Sequence, residues 1–111
     1  MTVTVKNLIP SKQAETSQTT QYTAVNCKVI IDKFTVTNTT GTAAVITINL
    51  VPSSGSASTS NVVLSAKSIA AGESYTCPEV VGQTLESGGF ISTIAGTATA
   101  LNIRASGREI T

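Results

Sequence analysis

The sequence predicts an all-β domain: an antiparallel β-sandwich, or its jelly-roll variant, of about eight strands. Three observations carry that prediction. Apolar and polar residues alternate in short runs, the period of a pleated strand buried on one face. The runs are separated by clusters of Gly, Ser, Thr, Asn and Pro, the residues that favour turns. Thr, Val and Ile dominate the runs, and β-branched side chains suit a half-buried sheet. With 111 residues, 41% of them hydrophobic, the chain is long enough for one core without metal or disulfide staples.

Thr2 to Leu8 alternates Thr with Val and stops before Pro10, which predicts a first strand. Residues 11–20 are polar and featureless, the composition of a linker or loop. Residues 1–20 therefore divide as a strand or arm on a tether, with the sandwich expected over residues 21–111. Two readings of Thr2, Val3, Thr4, Val5 and Leu8 stand side by side: an arm that adds to a neighbour's sheet edge, or a first strand packed on its own body.

Gln21 to Val25 and Lys28 to Asn38 resume the pattern. In the second run Phe34 and Val36 share the inward face, while Val29 and Ile31 fall on the opposite parity. A bend, a bulge or burial on both sides is expected near Asp32. Asn38 to Thr42 reads as a turn with Gly41 at the positive-φ position, and Ala44 to Val51 as the returning strand. Phe34 to Val51 is thus expected to be a hairpin.

Pro52 to Asn61 is a low-complexity loop. Val62 to Ile69 is the next strand, followed by a turn at Ala70 to Glu73 and a short strand from Ser74 to Cys77. Pro78 opens one helical turn within residues 78–85. Gly88 and Gly89 turn into Phe90 to Ile94. Ala98 to Ala105 closes the set, with Ser106 to Thr111 extending it as an edge.

Charged residues make up only 12% of the chain, about half the share of an ordinary soluble domain. A Thr- and Ser-rich exterior is polar enough to dissolve, yet loses little rotamer freedom and strips no strongly hydrated charge when covered. That suits burial against other proteins. The net charge is +1 and the seven basic residues are scattered, so the clustered cations that grip phosphates are missing and no nucleic-acid partner is expected. No apolar run approaches the roughly 18 residues of a membrane span, and the first residues lack the pattern of a secretory signal. Membrane partners are not expected either. Cys27 and Cys77, outside a secretory context, read as free buried thiols rather than a disulfide.

Chemistry is sparse. The chain has no His, the commonest general base and metal ligand. Its six acids are isolated, apart from Glu73 and Glu79 flanking Cys77, where two carboxylates would raise the thiol pKa and blunt it as a nucleophile. Asp32 reads either as a buried partner of Arg104 or as a surface carboxylate. No phosphate-cradling loop or calcium loop is present in the pattern. No catalytic residue, cofactor or metal is expected, and the chain reads as a non-enzyme.

Four stretches carry a resemblance: Ile31-Asp32-Lys33-Phe34-Thr35-Val36-Thr37-Asn38, Asn49-Leu50-Val51-Pro52, Ala71-Gly72-Glu73-Ser74-Tyr75, and Ile103-Arg104-Ala105-Ser106-Gly107-Arg108-Glu109. Together they resemble small β-rich virion proteins encoded in the structural gene clusters of tailed bacteriophages. The likeness covers about residues 28–111 and brings no site residues with it. It implies assembly in the host bacterial cytoplasm and residence in the virion, with the major capsid protein or other virion proteins as partners. The expected function is a capsid decoration or cement protein, acting as a homo-oligomer such as a trimer. A tail, neck or fibre-base component is the second reading, and a host-surface or carbohydrate-binding module the third.

Overall fold

The computed structural model describes all 111 residues as nine antiparallel strands: β1 (Val3–Gln13), β2 (Thr19–Thr23), β3 (Lys28–Asn38), β4 (Ala44–Val51), β5 (Val62–Ile69), β6 (Ser74–Tyr75), β7 (Thr84–Leu85), β8 (Phe90–Ala95) and β9 (Leu101–Ile110). They form two sheets. One runs β1-β9-β3-β6, with β7 also on β3; the other runs β2-β8-β4-β5. Successive strands cross from sheet to sheet, except at β4-β5, the one hairpin between full strands. This is the jelly-roll order, with the sixth of its eight strands split into β6 and β7. The expected sandwich is therefore present, in its jelly-roll form.

Phe34, Val36, Ile46, Ile48, Ile69, Ile91, Leu101 and Ile103 fill the space between the sheets, inside a core cluster of 24 buried residues. The parity conflict in β3 resolves as a bulge. The register against β9 shifts between Ile31 and Lys33, so Val29, Ile31, Phe34 and Val36 are all fully buried. Gly107 lies opposite Ile31. A Cβ there would stand 2.1 Å from the carbonyl oxygen of Ile30, so the close approach of β9 to β3 requires glycine.

The expected hairpin from Phe34 to Val51 is not formed. β3 and β4 lie in different sheets, because β9 and the β6/β7 pair already occupy both edges of β3, while β8 and β5 flank β4. Their connection is an arch held by Asn38. Its buried amide nitrogen donates to the carbonyls of Thr42 (2.8 Å) and Ile69 (2.9 Å), and its oxygen accepts from the backbone N–H of Thr40 (2.9 Å) and the Thr40 hydroxyl (2.7 Å). Gly41 is not at positive φ in this arch, since the amide of Asn38 sets its shape.

The terminal strands also depart from expectation. β1 continues through Pro10 to Gln13 and pairs with β9 of its own chain, so residues 1–20 are neither a free arm nor a separate unit. Pro10 is tolerated because β1 is an edge strand and no ladder bond is lost on its open side. The tether read at residues 11–20 holds the end of β1, a crossing at Ala14–Glu15 and the start of β2. Leu101–Ile110 is not an edge: β9 lies between β1 and β3 along its whole length. Pro78 to Gly82 forms a turn in which the N–H groups of Val80 and Val81 both donate to the Cys77 carbonyl, but the chain then extends into β7.

Candidate interaction surface

The longest uncovered sheet edge is β1. The backbone N–H of Thr2 donates to Thr111 at 3.0 Å and the N–H of Thr111 to Thr2 at 2.9 Å, so these two residues exchange both bonds. Bonded and non-bonded pairs alternate along an antiparallel ladder. In the register that follows, Thr4–Glu109 and Lys6–Gly107 face β9, while Val3 and Val5, opposite Ile110 and Arg108, turn their N–H and C=O groups outward. The side chains of the same two residues are 49% and 82% exposed. Thr2 and Thr4 are exposed as well. Leu8 is not part of this surface: it is 3% exposed and packs in the core, because the register breaks between Lys6 and Ile9 and turns two successive apolar residues inward.

Edge strands are usually defended by charge. Here the two lysines of β1 are engaged by the chain's own carboxylates. Lys6 Nζ lies 3.5 Å from Glu109 Oε2 and Lys12 Nζ 2.8 Å from Glu15 Oε2. The hydrogen bond from Lys12, with a second from Gln21, lowers the Glu15 pKa. Glu109 also accepts the hydroxyl of Tyr22, which reaches across from β2 in the other sheet. Burial, and then that carboxylate, push the Tyr22 pKa upward and keep the hydroxyl a donor. The start of β1 is thus tied down at its body side and open at its outer side.

On the outer face next to this edge, Arg108 forms a two-point ion pair with Asp32 (3.0 and 3.1 Å). The partner of Asp32 is therefore Arg108 and not Arg104, and the pair sits on the surface. Asp32 meets Arg108 there because the β3 bulge shifts its alignment with β9, a shift the residue pattern located without revealing the partner. Arg104 and Lys33 on the same sheet have no carboxylate within ion-pair distance.

Other surface features are shallow. A depression of about 250 Å³ beneath the loop of residues 52–61 is lined by Gln18, Thr47, Asn49, Ser58, Thr59 and Ser65, with Ala57 and Val62, and carries no charge. Cys27 and Cys77 are buried free thiols, as expected. Burial pushes the Cys77 thiol up to about 12, with the Glu79 carboxylate adding to it. Glu73 plays no part there; it caps the turn by accepting the N–H of Ala70. Glu79 accepts the Tyr75 hydroxyl, which pushes the Tyr75 pKa up to about 12. No three His, Cys, Asp or Glu side chains converge, and no helix is long and apolar enough to cross a membrane. No family model, no curated protein and no solved structure matches the chain.

Proposed function

We propose that the chain is a structural protein of a tailed-bacteriophage virion, a capsid decoration or cement protein that stabilises the head by binding across capsid subunits. The observation that carries this reading is the outer edge of β1, where Val3 and Val5 offer unpaired backbone groups and exposed apolar side chains together. Such an edge is recognised by another protein's strand through main-chain hydrogen bonds, with side chains setting the choice of partner. The exterior supports the same reading, because Thr and Ser cover it and few charges must be desolvated on contact. Jelly rolls recur in viral capsid proteins and in lectins, and fold alone does not choose between them. The resemblance of residues 28–111 to phage virion proteins favours the first.

Cement function requires only modest affinity at each contact, since several linked copies gain avidity without new contacts. The test is to mix the purified chain with undecorated phage heads and with isolated tails, and to count bound copies by electron microscopy. Saturable binding to heads at a fixed copy number is expected. Binding confined to tails moves the assignment to a tail, neck or fibre-base component. Binding confined to a glycan array, lost on changing Asn49 or Gln18, moves it to a sugar-binding module built on the uncharged depression.

A further inference from the structure

We infer that the outer edge of β1 is a self-docking strand: two copies of this chain pair antiparallel along Thr2–Lys6 about a two-fold axis through Thr4, joining their β1-β9-β3 sheets into one. The inference rests on the reading of this edge as a docking strand and names its occupant.

The geometry of the edge selects the register. β1 is regular only up to Lys6, where its pairing with β9 first shifts. A two-fold pairing confined to the regular segment Thr2–Lys6 has its axis at the middle residue, Thr4. That register places Val3 of one copy opposite Val5 of the other, twice. These are the two residues whose N–H and C=O groups point away from β9, so both pairs exchange backbone bonds across the axis. Their exposed side chains meet on the outer face, beside the partly buried Ile30 and Ile110. Thr4 faces its own counterpart, a hydroxyl pair that sheets favour.

Charge agrees with this register. Lys6 faces Thr2 of the second copy, so no like charges oppose one another, and Lys6 keeps its own Glu109. Moving the axis two residues along, to Lys6, would set lysine against lysine, which is destabilising. The bulges and Pro10 beyond Lys6 limit the pairing to this segment, which blocks open-ended association along the edge. A two-fold contact also closes on itself, so the product is a dimer and not a fibre.

The experiment combines sedimentation equilibrium with cysteine cross-linking on the full chain. Wild type is expected to show a concentration-dependent dimer. Val5→Pro removes an outward N–H and no bond to β9, so it is expected to weaken the dimer at least tenfold at an unchanged unfolding midpoint. In the proposed register the two Thr4 Cα atoms stand about 4.5 Å apart as a non-hydrogen-bonded pair, inside the roughly 4.4–6.8 Å span of a disulfide. Thr4→Cys is therefore expected to form a disulfide-linked dimer under mild oxidation. Thr2→Cys, Val5→Cys and the exposed control Val81→Cys are expected to form little disulfide-linked dimer. A wild type that is monomeric at about millimolar concentration overturns the inference, as does Thr4→Cys cross-linking no better than Val81→Cys, or Val5→Cys cross-linking best. Head binding is scored separately: a dimer that ignores phage heads sinks only the proposed function, and a head-binding monomer sinks only this inference.

Discussion

Replacing Asn38 by Ala tests the arch that sends the chain from one sheet to the other. Asn38 is fully buried, and its amide makes four hydrogen bonds. Truncation strands the Ile69 carbonyl in the interior, where an unmet acceptor costs about 1–3 kcal/mol. The Thr42 carbonyl and the Thr40 N–H lie nearer the surface and regain water, so each adds about 0.5 kcal/mol. The expected loss is about 3 kcal/mol. With a urea slope of roughly 1.5 kcal/mol per molar, the midpoint falls by about 2 M. Asn38→Asp keeps the acceptor, loses both donors and buries a charge beside two carbonyls, so it is expected to be at least as damaging at pH 7. Urea unfolding followed by circular dichroism reads both variants. A loss below about 1 kcal/mol for Asn38→Ala would show that the arch holds without its amide, and would refute this account of what holds the connection between β3 and β4.

Further outcomes follow from named contacts. Gly107→Ala sets a methyl against the Ile30 carbonyl at 2.1 Å, where only backbone movement gives relief, so a loss of about 3 kcal/mol or more is expected in the same assay. Asp32→Ala removes an ion pair that is conspicuous in geometry but about two-fifths exposed, and a loss under about 1 kcal/mol is expected. Cys77 holds its proton to about 12 in the fold against 9.0 in the open chain. The folded value is raised, so its contribution is complete below pH 9 and is lost as pH climbs from 9 towards 12. Urea midpoints at pH 8 and 10.5 should therefore drop more for wild type than for Cys77→Ala; equal drops would contradict the assignment. Thiol-reactive dye should label neither Cys27 nor Cys77 until the chain unfolds, since both are buried.

The strand spans of β3, β4 and β5 are legible in the residues, because runs rich in Val, Ile and Thr bounded by turn residues leave few other readings. An irregularity near Asp32 is legible too, since apolar residues of both parities fall in one strand, but only the register against β9 shows that it is a bulge rather than a bend or burial on both faces. The partners of strands are not legible. The alternation of β3 and β4 is the same whether they pair in one sheet or face each other across the core, and Asn38-Thr39-Thr40-Gly41-Thr42 looks like a hairpin turn until the buried amide of Asn38 is seen to reach Ile69. Positive φ falls at Asn26 and at three glycines, residue types that adopt it readily, but also at Ser54, Ala66, Cys77 and Thr99, whose residue types do not announce it. For the edge, the Thr-Val alternation of residues 2–5 marked the segment, but only the register against β9 shows which residues face outward and that Leu8 does not belong with them.

The central claim is that the open start of β1 is where this protein meets other chains. The direct measurement is sedimentation of wild type and of the double variant Val3→Asp, Val5→Asp with undecorated phage heads. The two substitutions add charge on side chains that are already exposed, so the urea midpoint should move little. Wild type is expected to saturate the heads at a fixed ratio while the double variant stays in the supernatant. Equal binding by both would contradict the account.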